Sequence, residues 1–246
     1  MVLSGSVAIV TGGAVRIGRS VALGLAEAGC NVLVHYGTSA DEAEETAEAI
    51  RRTGQMAETV SADLADPAAA AETIIDGCKP LGRPSLLVNS AAIFEGGSLS
   101  DTSSDNWDRH LAINLSAPFH LMQRFVADRD PNSPAHIVNI ADWRAERHPN
   151  GHLAYTVSKS GLLALTRVAA QDLAPDVRVN AIAPGPMLPP PGKDEAYLTD
   201  VVAKLPMRRQ GSPEDIARAV VWLSEQEFIT GDMIHVDGGQ QFVGGL

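Results

Sequence analysis

The sequence has few of the residues that form disulfide cross-links or bind a metal ion. Its 246 residues include two cysteines, Cys30 and Cys78, which excludes a disulfide framework and a thiolate metal site. Of its seven histidines, only His148 and His152 have the four-residue spacing of a helical metal pair. The intervening Pro-Asn-Gly favours a turn over a helix, so we expect no catalytic metal.

The chain also lacks an excess of basic residues and any long apolar run. It has 19 Lys and Arg against 30 Asp and Glu, a net charge of −11, which disfavours a nucleic-acid partner. No run approaches the roughly 18 apolar residues of a membrane span, and no positively charged leader opens the chain. We expect a cytoplasmic protein that acts on a small molecule, without nucleic acid or membrane. With 45% hydrophobic residues, the chain suits a single domain, residues 1–246.

Short apolar runs alternate with helical patterns along the chain. Several of these runs are apolar on both faces, as buried parallel strands are. They cover residues 7–10, 31–36, 57–61, 86–89, 137–140, 177–182 and 231–236. The pattern predicts an α/β protein with a parallel sheet.

A glycine-rich turn, residues 11–18, follows the first strand and leads into a helix. Gly12 and Gly18 let the backbone approach a pyrophosphate, and the helix N-terminus supplies free N–H groups. The second strand is followed by no carboxylate before Asp41, although Asp or Glu usually holds a free ribose 2′-hydroxyl there. Arg16 could pair with a 2′-phosphate, so we expect NADPH rather than NADH; the alternative is that Arg16 is a solvated surface side chain. The other cofactor candidates here are Ile17, His35, Tyr36, Thr38 and Ser39.

Further candidates follow the third and fourth strands. Asp63, next to Leu64, could accept a hydrogen bond from an adenine amino group, whereas Asp66 is expected to cap a helix. Asn89, Ser90 and Ala91 leave room for a flat ligand. Phe94 then offers either an aromatic face at the pocket rim or a core side chain.

Two later segments are expected to serve the same pocket. A helix over about 105–126 contains Asn114 among apolar neighbours and Pro118, which should kink it. Asn114 is expected to hold a water or a carbonyl that leads protons towards Lys159. The proline-rich segment 184–211 is predicted to be an irregular lid over the substrate.

The central motif is a carboxylate, a phenol and an ammonium. Tyr155 and Lys159 are four residues apart in a helical pattern and therefore share one face. The ammonium is expected to lower the phenol pKa from about 10, as proton exchange near neutral pH requires. Asp142 ends the preceding strand, at the sheet edge where ligands bind, and His152 could touch the substrate. A chance Tyr and Lys on an exposed helix is the alternative explanation of the pair.

Together these motifs resemble the short-chain dehydrogenase/reductase family across essentially the whole chain. The matching residues are Gly12, Gly18, Asp63, Leu64, Asn89, Ser90, Ala91, Asn114, Tyr155, Lys159, Pro184 and Gly185. The resemblance implies a doubly wound, Rossmann-type parallel sheet of about seven strands with helices on both faces. It also implies Tyr155 as proton donor, Lys159 on the nicotinamide ribose, Asn114 in the proton path, and a homo-oligomer, with a tetramer favoured.

Two departures from the usual family pattern resemble the pteridine reductases and the bacterial dihydromonapterin reductases. Arg16 stands where the family usually has Gly, and Asp142 where it usually has Ser. Phe94 matches the aromatic residue that, in those enzymes, sandwiches the pterin against the nicotinamide. The resemblance implies substrate contacts from Arg16, Phe94, Asp142 and Tyr155, and we expect further contacts from Pro186 and Met187 at the start of the lid.

Asp142 also indicates which bond is reduced. A Ser hydroxyl donates to a carbonyl oxygen that becomes negative, whereas an ionised carboxylate only accepts and would repel that oxygen. Asp142 therefore suits a C=N bond, with a nitrogen protonated through Tyr155 and an N–H donated to the carboxylate. Two alternatives remain: a carbonyl reductase such as a 3-oxoacyl carrier-protein reductase, with Asp142 protonated, and a non-catalytic nucleotide sensor.

Overall fold

A single parallel sheet forms the centre of the protein. The computed structural model describes residues 1–189 and 195–243, and within them seven strands lie in the order β3-β2-β1-β4-β5-β6-β7. Every neighbouring pair is parallel. The strands are β1 (Val7–Val10), β2 (Asn31–Tyr36), β3 (Ala57–Ser61), β4 (Leu86–Asn89), β5 (Ala135–Ile140), β6 (Val177–Pro184) and β7 (Met233–Val236). The predicted doubly wound sheet is confirmed.

Helices connect the strands and cover both faces of the sheet. They are α1 (Arg16–Glu27), α2 (Ala40–Arg51), α3 (Pro67–Gly77), α4 (Ser104–Leu111), α5 (Ala117–Asp128), α6 (Arg144–Arg147), α7 (Leu153–Asp172), α8 (Glu195–Lys204) and α9 (Pro213–Glu225). A π-helical turn (Ala112–Ser116) joins α4 to α5, and a 3₁₀ turn (Gln240–Phe242) follows β7. Asp66 caps α3 as predicted, accepting a hydrogen bond from the backbone N–H of Ala69 at 3.4 Å.

Two apolar cores lie on opposite faces of the sheet. One packs α1, α2 and α9 against the strands through residues such as Leu25 and Ile216. The other packs α3, α5 and α7 through residues such as Ile74 and Phe125. The strands contribute side chains to both cores, which explains why β1 and β4 are apolar on both faces.

The strand order reverses between β1 and β4, and a crevice for a ligand opens at the carboxyl ends of the strands there. The glycine turn follows β1, residues 90–94 follow β4, and Asp142 follows β5. The fold therefore brings together loops that are up to 130 residues apart in sequence.

The structure corrects two expectations about the connecting segments. The predicted helix over about 105–126 is two helices separated by the π turn, because Pro118 has no N–H to bond the Asn114 carbonyl in the α pattern. The segment 184–211, expected to be irregular, contains the helix α8. The proline run at 190–191 and Gly192 lie outside the described residues.

Among the described residues, no helix combines the length and hydropathy that crossing a membrane requires. Across the same residues, no cluster of three or more His, Cys, Asp or Glu side chains has a metal-binding arrangement. Cys30 and Cys78 are unpaired and buried, and burial raises the pKa of both thiols to about 12.

Candidate active site

The predicted carboxylate, phenol and ammonium meet at the carboxyl end of β5. Asp142 lies two residues beyond the strand, and Tyr155 lies in the first turn of α7. The Tyr155 hydroxyl donates a hydrogen bond to Asp142 Oδ2 at 2.9 Å. Lys159 is buried one turn further along the helix, and its Nζ donates to the backbone carbonyl of Ile140 at 2.6 Å.

The expectation that Lys159 lowers the Tyr155 pKa is wrong for this arrangement. The pKa of Tyr155 is raised well above 10, by burial, by the charge of Asp142 and by the hydrogen bond to it. The Lys159 ammonium bonds Ile140 instead, and burial lowers its own pKa to about 8. Tyr155 therefore keeps its proton at neutral pH, which suits a proton donor better than a base.

Arg144 is a site residue that the sequence reasoning missed. Its backbone N–H donates to Asp142 Oδ1 at 2.8 Å, and its guanidinium Nη1 lies 3.6 Å from the same oxygen. Its Cζ also lies 4.8 Å from the ring centroid of Trp143. Arg144 and Tyr155 thus both use the Asp142 carboxylate as an acceptor. The available signal was a cation two residues after the candidate carboxylate.

Phe94 lies inside this group of side chains. The His152 ring stacks on it with centroids 4.2 Å apart and planes 17° apart, and the Tyr155 ring meets it edge-on at 4.7 Å. The Arg144 Cζ lies 5.5 Å from the Phe94 centroid. Phe94 therefore borders the Tyr155 phenol, although His152 already covers one of its faces.

The glycine turn after β1 is shaped for close approach of a ligand. Gly12 has a φ of +64°, and a Cβ there would lie 3.0 Å from the Ala91 Cα. A Cβ on Gly18 would lie 2.0 Å from the Gly12 carbonyl oxygen, so α1 can begin against the turn only with glycine. Arg16 has a φ of +54°, the left-handed region that glycine would occupy without strain. Its Nη2 donates to the carbonyl of Pro189 at 2.7 Å.

His35 supports the glycine turn instead of facing the cofactor. Its Nδ1 accepts the N–H of Gly12 at 3.2 Å, and its Nε2 lies 3.1 Å from the Ala62 carbonyl. The side chain is buried, and burial lowers its pKa. The structure corrects its expected role, because a neutral ring with both nitrogens occupied has none left for a phosphate.

The Thr11 hydroxyl, just after β1, fixes the loop after β4. Thr11 Oγ1 accepts from the N–H groups of Ser90 and Ala91 at 3.0 and 3.1 Å. Ala91 in turn faces Gly12 across the crevice. The small residues expected beside a flat ligand therefore lie next to the glycine turn.

A buried chain of hydrogen-bonded side chains joins β4, β5 and α7. Asn89 Nδ2 donates to Asn139 Oδ1, and Asn139 Nδ2 donates to Thr166 Oγ1, both at 2.8 Å. Thr166 completes the chain by donating to the Leu162 carbonyl at 2.8 Å. Asn89, predicted to bind cofactor, is 3% exposed, so its side chain helps to position the strand end.

Asn114 lies in the π turn and is fully occupied by local contacts. Its Oδ1 accepts from the Ile93 N–H, and its Nδ2 donates to the Ile93 carbonyl, both at 3.0 Å. Nδ2 also lies 3.1 Å from Ser158 Oγ. Asn114 thereby ties the Phe94 loop to α7, and its predicted place in a proton path remains a prediction.

The other candidates differ in how they can serve a cofactor. Thr38 and Asp63 are exposed, Tyr36, Ser39 and Ile17 are partly exposed, and Leu64 is buried in the core. Asp63 Oδ1 accepts from the Ala65 N–H at 2.9 Å, which leaves Oδ2 for an adenine amino group.

On the lid side, the structure corrects one substrate residue. Gly185 follows β6 closely against β7, where a Cβ would lie 2.5 Å from the Asp237 Cα. Pro184 ends β6, and Pro186 is partly exposed. Met187 is 4% exposed and packs into the core, with its Sδ beneath Gly211, so its side chain does not face the substrate as predicted.

Comparison with known proteins agrees with this geometry. A family model described as enoyl-(acyl carrier protein) reductase matches residues 13–241. The chain is 35% identical to FolM alternative dihydrofolate reductase 1 from Brucella canis, crystallised with NADP, with a TM-score of 0.93 over 98% of this chain and 96% of that one. It is 32% identical to the 3-oxoacyl-[acyl-carrier-protein] reductase FabG of Staphylococcus epidermidis, over 94% of this chain and 97% of the relative.

A third relative is an uncharacterized oxidoreductase of Mycobacterium tuberculosis, 35% identical over 98% of this chain and 94% of the relative. These matches span nearly the whole of each protein, and the Tyr155-Lys159 pair occupies the carboxyl edge of a doubly wound sheet. The chain belongs to the short-chain dehydrogenase/reductase family of oxidoreductases.

Proposed function

We propose that this protein is an NADPH-dependent reductase that transfers hydride to a C=N bond of a pterin, of the dihydropterin, dihydromonapterin, biopterin or dihydrofolate type. The observation that carries the proposal is the contact between Asp142 and Tyr155. The carboxylate accepts hydrogen bonds from the Tyr155 phenol and from the backbone N–H of Arg144, and it forms an ion pair with the Arg144 guanidinium at 3.6 Å. A substrate that presents an N–H matches such a group, whereas a carbonyl oxygen does not.

The crevice residues fit a phosphorylated dinucleotide. The glycine turn leaves a cradle that side chains would fill, and the start of α1 offers unpaired N–H groups to a pyrophosphate. Arg16 lies at this turn and is exposed, and it supplies the positive charge that a 2′-phosphate requires. NADPH would supply the hydride at this site. The similarity to NADP-bound FolM supports the same choice.

The proton comes from this chain's own residues. Tyr155 is protonated at neutral pH because burial and Asp142 raise its pKa, so it holds a proton ready for the substrate nitrogen. Asp142 accepts from a neighbouring substrate N–H and orients the ring. Lys159, with a pKa of about 8, is mostly cationic at neutral pH and would bind the nicotinamide ribose.

The test is consumption of NADPH, followed at 340 nm, with the purified protein. We expect turnover of dihydrobiopterin, dihydromonapterin or dihydrofolate that is faster than turnover of a 3-oxoacyl thioester. Absence of turnover with every pterin would refute the proposal. The second candidate, 3-oxoacyl reduction, is favoured by the 32% identity to FabG and would show the opposite preference.

The proposal also covers the lid and the assembly. Segment 184–211 would cover the substrate, and the hydrogen bond from Arg16 Nη2 to the Pro189 carbonyl links the start of that segment to the glycine turn. A homotetramer is supported by exposed apolar side chains on α5 and α7, Phe119, Val157 and Val168. Light scattering after size exclusion tests the tetramer, and a mass near that of one chain would refute it.

A further inference from the structure

His152 lies at the catalytic centre, and its ring is held in one orientation. Its Nδ1 lies 3.1 Å from the Glu95 carbonyl oxygen, and its plane stacks on Phe94. The backbone on either side bonds Gly97, with Gly97 N–H donating to Gly151 and Leu153 N–H donating to Gly97, at 3.0 and 2.9 Å. The ring is therefore fixed by a hydrogen bond, a stacking contact and its own main chain.

The partner of Nδ1 determines which ring nitrogen carries the proton. A carbonyl oxygen only accepts, so Nδ1 must be the N–H of the ring. The pKa of His152 is lowered, mainly by burial and also by the charges of Arg144 and His110. The hydrogen bond to Glu95 and the charge of Asp142 raise it by less. The ring is therefore neutral at physiological pH, and Nε2 carries a lone pair.

A second histidine keeps the Glu95 peptide in place. His110 is buried, its Nδ1 lies 2.8 Å from the Asn106 carbonyl, and its Nε2 accepts the Glu95 N–H at 3.3 Å. Asn106 also donates from Nδ2 to the Glu95 carboxylate at 2.7 Å. The carbonyl that sets the His152 tautomer is thus anchored on α4, outside the crevice.

The remaining nitrogen of His152 is unused within the protein. Across residues 1–189 and 195–243, Nε2 makes no hydrogen bond, and the side chain is only partly buried. His152 lies three residues before Tyr155, immediately before α7, and the rings of both residues contact Phe94. The site therefore has two groups that accept hydrogen bonds: the Asp142 carboxylate, which contacts the phenol, and Nε2 of His152, whose ring contacts Phe94 as the phenol ring does.

We infer that His152 is a substrate-binding residue whose Nε2 accepts a hydrogen bond from an N–H group of the substrate ring. The substrate class is an amino-substituted nitrogen heterocycle that donates to two acceptors at once. A ketone without such donors gains nothing from His152. This inference rests on the proposed function and deepens it, because it adds a residue that selects the heterocycle.

The test compares two variants at His152 in steady-state assays with NADPH and dihydrobiopterin. His152→Phe keeps an aromatic ring to stack on Phe94 and removes the acceptor, whereas His152→Gln restores an acceptor of similar reach. Losing one such bond should raise the KM for the pterin about tenfold in His152→Phe, with kcat and the KM for NADPH within about twofold. His152→Gln should recover most of the affinity. His120→Phe, on α5, is the matched control and should resemble the wild type.

The outcomes separate this inference from the function on which it rests. No pterin turnover by the wild type defeats the proposed function. Turnover with an unchanged pterin KM in His152→Phe, or with both KM values raised together, defeats the role of His152 alone. If His152→Phe does not fold, ¹⁵N spectra of the wild-type histidines decide: saturating pterin must shift the His152 Nε2 resonance, and an unmoved resonance overturns the inference.

Discussion

Replacing Asp142 by Ser tests the chemical basis of the proposed function. The variant removes an acceptor that takes a hydrogen bond from Tyr155 at 2.9 Å, and it introduces a hydroxyl that can donate. Ser retains an oxygen for the Arg144 N–H, which Asp142 Oδ1 accepts at 2.8 Å, so α6 should still begin at the same residue. The change therefore alters the chemistry of the site more than its fold.

The magnitude follows from the bond that is lost. A hydrogen bond to a charged acceptor contributes about 1.5–3 kcal/mol, and in the reaction Asp142 would accept one such bond, from the substrate N–H, since the Tyr155 proton passes to the substrate nitrogen. Its loss corresponds to a fall of about 10–10² in kcat/KM for a dihydropterin. The same Asp142→Ser variant places a hydroxyl donor beside the oxygen that becomes negative in carbonyl reduction. It should raise kcat/KM for the 3-oxoacyl thioester at least tenfold, since such donors increase rates by about 10²–10³.

The assay measures kcat/KM for a dihydropterin and for a 3-oxoacyl thioester, with melting temperatures to verify folding. Asp172→Ser, at the exposed end of α7, removes a carboxylate of the same size and should leave both rates unchanged. Asp142→Asn should be impaired with the pterin, because it keeps the shape and loses the charge. The reasoning is refuted if Asp142→Ser reduces the pterin within about threefold of the wild-type rate.

Three further expectations concern the cofactor and the fold. Arg16→Ala should raise the KM for NADPH about tenfold and that for NADH little, since an ion pair with a 2′-phosphate is lost; equal effects on both would exclude that pairing. Gly18→Ala should lower the free energy of unfolding by about 3 kcal/mol, because its Cβ would meet the Gly12 carbonyl at 2.0 Å, whereas Gly37→Ala, with nothing within 4 Å, serves as the control in thermal denaturation. In pH profiles, kcat/KM for NADPH should fall above about pH 8 as Lys159, whose pKa burial lowers to about 8, loses its charge; a flat profile to pH 9.5 would contradict this.

Much of the fold was predictable because hydrophobic pattern and glycine placement report burial directly. The runs at 31–36, 57–61 and 86–89 coincide with β2, β3 and β4. The strands β2 and β4 lie between two helical layers and are largely buried on both faces, so their apolar runs are easy to recognise, whereas β3 lies at the sheet edge and is only partly buried. The location of Asp142 at the strand end beside Tyr155 followed from the same logic.

The errors concern contacts that periodicity does not encode. The spacing placed Lys159 one turn from Tyr155, but it could not reveal the Ile140 carbonyl that receives the ammonium. The same limit applies to His35, whose ring bonds two backbone groups from distant loops. Met187 looked like a pocket residue because prolines surround it, and only the packing under Gly211 shows that it is buried.

Segments without strong hydrophobic periodicity contain structure that the sequence pattern does not predict. The helix α8 lies in a stretch whose prolines and glycines dominated the prediction. The π turn at Asn114 adds a residue to a helical turn, a local insertion that an apolar pattern of period 3.6 does not show. Arg144 was overlooked because its role depends on the geometry of α6.

The hydrogen-bonded chain of Asn89, Asn139 and Thr166 also fixes how α7 is positioned against the sheet. Thr166 lies eleven residues after Tyr155, about three helical turns or ~16 Å along the same stripe of α7. If the helix slid or rotated by one position against the sheet, the Asn139 amide would lose its bond to Thr166 Oγ1 in an apolar interior. The Thr166 hydrogen bond thus fixes the position of α7 along the strands at a point far from the active site. That position determines how far the Tyr155 phenol extends beyond the strand ends.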